Sequence, residues 1–395
     1  MAMGTPNKLF FSRDTKMFVK VGTFFWEIPV LDGFSFSQGN KTTEVTLNEA
    51  QDSSGNSKRA RQLFNDSLAP AEFSFSTYMR PFKSGAGSAL NSNTAANNTA
   101  EHHAVEEVLW AVMTTNAHGY TQGSGTGNHD FSTFTRDGNQ VDIAFGDSNK
   151  PALQEFELFF QLGGVPTAAT DGVVVYKLTK AVINEASIDF DIEGIATINW
   201  SGFGSTLTSD SKPTKTVYEA INATNNYIRN RLTSLSITAA DTSTFPGAGS
   251  GVYNLTLTGG NITISNNITY LTPETIGSVN TPIGHVTGPR SVSGNFTCYL
   301  GLDSSSNVGT STDFFADMTS ANAKAKTVNS FNTVFAIGGA STPFLKFTMP
   351  TAHFEIPTHN VEDVIALETT FQALPSTIGG TNETTLKYRG ATPDV

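Results

Sequence analysis

The sequence predicts a mainly β protein made of two similar units in tandem. Composition carries the first part of that reading. Charged residues are 15% of the 395, hydrophobic ones 38%, and much of the rest is Ser, Thr, Asn and Gly, with 29 Phe. That mixture suits many short strands and turns rather than long helices. It is too apolar and too regularly patterned for a disordered chain. The second part rests on an internal echo in three ordered pieces. Phe73-Ser-Phe-Ser-Thr-Tyr-Met79 aligns with Gly294-Asn-Phe-Thr-Cys-Tyr-Leu300. Leu109-Trp-Ala-Val-Met-Thr114 aligns with Phe314-Phe-Ala-Asp-Met-Thr319, and Ile192-Glu-Gly-Ile-Ala-Thr-Ile198 with Val361-Glu-Asp-Val-Ile-Ala-Leu367. Three matches in one order point to a unit that occurs twice. The expected boundaries are residues 1–204 for the first unit, 205–228 for a linker and 229–395 for the second, each unit long enough for its own core.

The first unit opens with strand patterns at Lys16 to Val21 and Phe24 to Val30, then the hairpin signal Asp32-Gly33 before Phe34-Ser-Phe-Ser37. A polar connection is expected from Asn48 to Leu68, with a short helical turn over Lys58 to Asn65. The strand Glu72 to Met79 follows. Gly85 to Ala100 is low-complexity Ser/Asn/Ala and is expected to be a loop. Ala104 to Thr115 is the best helix, because Val105, Val108, Leu109, Val112 and Met113 fall at helical spacing, with Glu101, Glu106 and Glu107 toward its N-terminal end. Strands are expected at Gln154 to Leu162, at Gly172 to Leu178, and along one alternation from Ala186 to Trp200. Ser205 to Pro213 is expected to link the units, and Tyr218 to Asn230 to be a short helix.

The second unit restarts with strands at Ser234 to Ile237 and Val252 to Leu257, a turn at Gly259-Gly260, and Ile262-Thr-Ile264. A connection from Pro273 to Pro289 stands where Asn48 to Pro70 stood. Then come a strand at Gly294 to Leu300, a short helix near Asp313 to Met318, and strands at Phe344 to Met349 and Val361 to Gln372. Ser376 to Val395 is polar and is expected to be an arm.

Acids outnumber bases 35 to 24, for a formal net charge of -11. That balance argues against tight nucleic-acid binding, which needs Lys and Arg to displace counterions. It is compatible with a surface that DNA slides past. The single cysteine, Cys298, excludes an intrachain disulfide and is expected to be a small buried residue. Met1 to Phe11 lacks the apolar core of a signal peptide, and no apolar run is long enough to span a bilayer.

No constellation for catalysis or metal binding emerges. The seven His have no His-x-x-x-His or Cys-x-x-Cys partner. There is no phosphate-binding Gly-rich loop ending in Lys-Ser/Thr, and no Gly-x-Ser-x-Gly elbow after a strand. An enzyme is therefore not expected, and no cofactor. Asp189, Asp191 and Glu193 alternate with Ile188, Phe190 and Ile192, which places three acids on one strand face. Such a stripe does not set two carboxylates across a cleft; as a bland alternative it is a solvated sheet face. Glu155 and Glu157 form a shorter stripe beside Phe156 and Leu158. Lys58, Arg59 and Arg61 are the densest basic spot, too small for nucleic-acid binding in so acidic a chain.

In layout and texture these segments resemble the tail tube proteins of tailed bacteriophages. The resemblance lies in the strand pair Phe24 to Val30 and Gly33-Phe-Ser-Phe36, the long loop after it, and Glu72-Phe-Ser-Phe-Ser-Thr-Tyr78. It continues through the helix at Ala104 to Thr115 and the closing Ile188-Asp-Phe-Asp-Ile-Glu-Gly-Ile-Ala-Thr-Ile-Asn-Trp-Ser-Gly202. It covers the first half well and the second more loosely. The resemblance implies β-sandwich or small-barrel units with a flanking helix, joined edge to edge into a ring with a continuous inner β-barrel. It implies a structural subunit of the virion tail, assembled in the bacterial host cytoplasm, whose stacked rings conduct DNA during ejection. A tandem chain then makes a homotrimer with pseudo-sixfold symmetry, with a hexamer as the alternative. The expected partners are ring neighbours, stacked rings, and tail proteins such as the tape measure and the tail terminator, with DNA passing through unbound. The competing class is a β-sandwich adhesin or a capsid decoration protein. On the tube reading, at least one of the stripes Asp189/Asp191/Glu193 and Glu155/Glu157 lines the channel, because acids repel phosphate. The loop carrying Lys58, Arg59 and Arg61 contacts the adjacent ring.

Overall fold

The computed structural model describes residues 11–45, 53–56, 62–83, 85–86, 96–97, 101–117, 119–122, 129–137, 139–145, 153–163, 173–217, 226–272, 281–301, 308–325, 330–339 and 343–391. The fold is mainly β with short helices. In the first half the strands are β1 (Lys16–Val21), β2 (Phe24–Ile28), β3 (Ser35–Val45) and β4 (Gln62–Tyr78). After the helix α1 (Glu107–Thr114) come β5 (Val141–Ala144), β6 (Phe156–Leu162), β7 (Val174–Asp191), β8 (Thr197–Gly204) and β9 (Leu207–Ser209). The second half contains β10 (Ser234–Ala239), β11 (Val252–Leu255), β12 (Leu257–Ser265), β13 (Ser291–Tyr299), the helix α2 (Ser311–Thr319) and β14 (Phe331–Ile337). It closes with β15 (Phe344–Phe354), β16 (Thr358–Val361), β17 (Ile365–Leu374) and β18 (Thr385–Arg389).

Antiparallel pairing orders the first half as β2-β1-β6-β7-β8-β4-β3. The second half is ordered β11-β10-β14-β15-β17-β13-β12. β9 adds to the start of β7, and β18 adds to the start of β15. Each order bends within its fourth strand. β7 pairs with β6 along its first part and with β8 along its last, with a register shift near Ile183 and a positive φ of 48° at Lys180. In the second half the corresponding path breaks outright, into β15 and β16 on either side of Pro357. Proline has no amide to give a ladder.

The halves meet at β7 and β12, which pair from Glu185↔Ser265 to Asp191↔Gly259. β5 also pairs with β18, so the C-terminal strand closes onto the first half. The largest apolar cluster among the described residues runs through both halves and includes Trp26, Trp110, Trp200, Phe296, Phe335 and Phe347. Every residue of α1 is buried, and Val108 to Met113 belong to this cluster. The Trp110 ring meets Trp200 edge-on at 4.8 Å, and Phe347 of the second half at 6.5 Å.

Several expectations are corrected. The helix starts at Glu107, not Ala104, because His102–Ala104 is taken up by a ladder with Pro81–Lys83. Residues 62–65 are strand rather than helical turn, paired with β3 out to Val45↔Gln62. The connection between β3 and β4 is accordingly shorter than Asn48 to Leu68. The alternation from Ala186 to Trp200 is two strands, since the chain turns between Asp191 and Thr197 with φ of 93° at Gly194. Gly259-Gly260 is not a turn but lies inside β12, where a Cβ on Gly260 would come within 2.8 Å of the Phe190 ring. The polar C-terminus is not an arm throughout, because β18 is a central strand with Leu386 and Tyr388 fully buried. Within the stretch read as a linker, Leu207–Ser209 pairs with β7. β5 and β14 were not anticipated at all.

Candidate functional site

The strands beyond the bend present one polar face, built by period-two alternation. On β4, Phe73 and Phe75 are buried while Glu72 and Ser74 are exposed and Ser76 half-buried. On β8, Ile198 and Trp200 are buried and Asn199 is exposed. On the last part of β7, Ala186, Ile188 and Phe190 are buried, leaving Glu185, Ser187, Asp189 and Asp191 outward. The same alternation continues through Asn261, Thr263 and Ser265 on β12, and Ser293, Asn295 and Thr297 on β13. It ends with Glu368, Thr370 and Gln372 on β17. Ser35 and Ser37 of β3 and Thr358 and Asn360 of β16 stand exposed at its two ends.

Hydrogen bonds tie this face across strands. Ser35 and Ser74 hydroxyls meet at 2.8 Å. Ser76 donates to Asn199 Oδ1 at 2.6 Å, and Asn199 Nδ2 donates to Asp189 Oδ2 at 3.2 Å. Asn261 Oδ1 accepts from the Asn295 amide at 3.1 Å. None of the segments 35–39, 72–78, 185–191, 197–204, 259–265, 291–299, 358–361 and 365–374 contains Lys or Arg. The charges on the face are all acidic: Glu72, Glu185, Asp189, Asp191 and Glu368. A wall of hydroxyls, amides and carboxylates offers phosphate no cation to bind.

The residues singled out in the sequence separate in space. Asp189 and Asp191 sit on this polar face. Glu193 does not share their strand; it is exposed in the turn after β7, where the chain has already left the ladder. Glu155 immediately precedes β6 and Glu157 is its second residue, on the other side of the bend. Glu157 accepts from Lys20 at 2.7 Å, and Glu155 lies 3.6 Å from His285. The sheet on that side carries further ion pairs, Lys16–Glu27 and Lys177–Asp210. Lys58, Arg59 and Arg61 lie outside the described residues. Glu72, Glu185 and Glu368 were missed. The alternation Glu72-Phe-Ser-Phe-Ser76 carried the signal for the first of them, whereas the other two depend on which strand face turns outward.

A second polar feature is buried. Glu106 and Glu107, at the start of α1, face different partners. Glu106 accepts from Tyr388 Oη of β18 at 3.1 Å, and the same hydroxyl accepts from Trp110 Nε1. Burial pushes the Glu106 carboxyl up to about 7 against the pull of the Arg80 amide, Tyr388 and the Arg80 charge. Burial acts on Glu107 too, but the Arg136 guanidinium and His103 overcome it and hold that carboxyl below its ordinary value. Arg136 reaches Glu107 at 3.2 Å and Asp130 at 2.7 Å. The carboxylates of Glu106 and Glu107 are thus engaged by internal partners. No group of His, Cys, Asp and Glu suited to a metal occurs among the described residues. No helix among them is long and apolar enough to cross a membrane.

A polar sheet face without Lys or Arg in its described strands, with strand edges unpaired at both ends, fits a structural β protein. The comparisons with known proteins agree. The model for the family described as phage tail tube protein matches residues 17–390. The tail tube protein pb6 of Escherichia phage T5 is 30% identical over 389 residues, covering 94% of this chain and 74% of pb6. The chain therefore belongs to the phage tail tube protein family, and it is a structural subunit of a virion tail.

Proposed function

We propose that this chain carries two copies of one tail-tube unit, about residues 1–204 and 229–395, and that three chains close a pseudo-sixfold ring. The observation that carries this reading is the repeated strand order and its internal joint. β2-β1-β6-β7-β8-β4-β3 and β11-β10-β14-β15-β17-β13-β12 occur in the same chain order, each with a helix between the fourth and fifth strands of the chain path. They join edge to edge through β7 and β12. Two units per chain fill six positions with three chains, and ring closure removes the open edges that would otherwise aggregate.

The polar face then lines the channel, with Asp189 and Asp191 among its acids, and DNA passes along it without specific binding during ejection. The paired Glu155 and Glu157 belong to the outer sheet on this reading. Rings stack into a tube in the host cytoplasm and meet the tape measure and the tail terminator at their ends. The connection carrying Lys58, Arg59 and Arg61 contacts the adjacent ring. Rotational symmetry in electron micrographs of assembled tubes, together with the mass of the smallest ring, tests the stoichiometry. Three chains per ring are expected. Six chains per ring would place the second unit elsewhere and overturn the reading.

A further inference from the structure

At the two ends of the polar-face sheet a strand edge remains unpaired among the described residues, and the internal joint shows what each lacks. β3 pairs with β4 alone, and β16 with β17 alone. Ladder positions relate the two halves. Phe36↔Phe73 in the first corresponds to Ile262↔Gly294 in the second, so Ser35 takes the place of Asn261. Likewise Ser187↔Asn199 corresponds to Thr358↔Glu368, so Asn360 takes the place of Asp189. The inner edge of β12 is covered by β7, with Asp189↔Asn261 and Phe190↔Gly260 in register. The equivalent edge of β3, and the equivalent of β7's outer edge on β16, are bare. Val361 is 73% exposed.

We propose that β3 of one chain pairs antiparallel with β16 of a second copy, in the register Ser35↔Asn360, Phe36↔His359, Ser37↔Thr358 and Phe34↔Val361. The inference rests on the ring reading and specifies its contact. Its side-chain chemistry is complementary at three of the four steps. At the internal joint the large ring is Phe190 and the glycine Gly260 makes room for it. At the open edges the large ring is Phe34, on the opposite strand, and the smaller Val361 faces it. On the polar face Ser35 meets Asn360 and Ser37 meets Thr358, so the cation-free wall continues across the seam. Every second main-chain amide and carbonyl on each edge gains a partner.

The test pairs Ser35→Cys with Asn360→Cys in the full chain. The native Cys298 is fully buried and burial pushes its thiol up to about 12, so it stays silent. Oxidised assemblies should give chain dimers and closed trimers on non-reducing gels, and neither single variant should. Ser37→Cys with Asn360→Cys, slipped by two residues, should give no more cross-link than the singles, because the Cα separation of such a pair exceeds disulfide reach. In the unmodified chain, amides of residues 35–38 and 358–361 that face outward should exchange more slowly in tubes than in dissociated chains. Tubes in which these amides stay fast, or in which the slipped pair cross-links best, would overturn the proposed joint and leave the tube reading intact. Where the double variant does not assemble, exchange in the unmodified tubes decides. An unmodified chain that forms neither rings nor tubes overturns both.

Discussion

Gly202 of β8 lies directly opposite Phe73 of β4, and the phenyl ring occupies the space a side chain at residue 202 would take. A Cβ there would stand 2.6 Å from the ring and 2.1 Å from the Val182 carbonyl oxygen. The second half contains the same pair with the partners exchanged. Gly294 of β13 lies opposite Phe371 of β17, with 2.8 Å between a built Cβ and the ring. Gly202→Ala should therefore destabilise the chain by about 1–3 kcal/mol, the range for overpacking a tight core. Thermal unfolding checks it; an unchanged midpoint would show that the β4–β8 contact yields more easily than this geometry implies.

The buried Glu106 makes stability depend on pH. Its carboxyl is pushed up from 4.5 to about 7 in the folded chain. The folded state then binds a proton that the unfolded state has released, so stability is fully present below the unfolded value and declines as pH rises through about 7. The groups facing it are Tyr388, the Arg80 amide and the Arg80 guanidinium. Glu106→Gln keeps a neutral acceptor and should flatten this dependence. Unfolding midpoints at about pH 5 and about pH 8 for both forms measure it, and equal slopes would refute the assignment.

Tyr388 closes the same network from the C-terminal strand. Tyr388→Phe removes the hydroxyl that donates to Glu106 and accepts from Trp110, leaving two buried polar groups short of a partner. The expected cost is about 1–3 kcal/mol, read from denaturant unfolding. Ending the chain before Thr385 is expected to do more, because β15 and β5 would both lose the strand between them. The truncated chain should be insoluble, whereas the Phe variant should fold.

Charge reversal on the polar face tests the channel. Asp189→Lys with Asp191→Lys should fold, since exposed strand positions tolerate change. Asp189 loses one hydrogen bond, from Asn199. Phage carrying both changes should form tubes and eject DNA more slowly, because the wall now attracts phosphate. Release kinetics measure it, and ejection at the unmodified rate would remove these residues from the lining.

Part of this molecule was legible from the sequence and part was not. Alternation in Phe73-Ser-Phe-Ser76 and Ile188-Asp-Phe190 fixed which side chains are buried, because a strand turns successive residues to opposite faces. The mainly β class followed from such local patterns, and the layout of the segments resembled the tail tube family that the comparisons then showed. Strand ends did not follow. Asp191 and Glu193 share an alternation in the sequence, yet the chain turns between them, because Gly194 adopts a positive φ and Thr197 pairs back on Tyr78. In the polar C-terminus the alternation Thr385-Leu-Lys-Tyr-Arg389 is too short to be decisive in the sequence; β18 is fixed by β15 and β5, between which Leu386 and Tyr388 are buried. Which acids share a face was likewise decided by long-range pairing. Glu157 meets Lys20 and Asp189 meets Asn199 only once strands distant in sequence lie side by side.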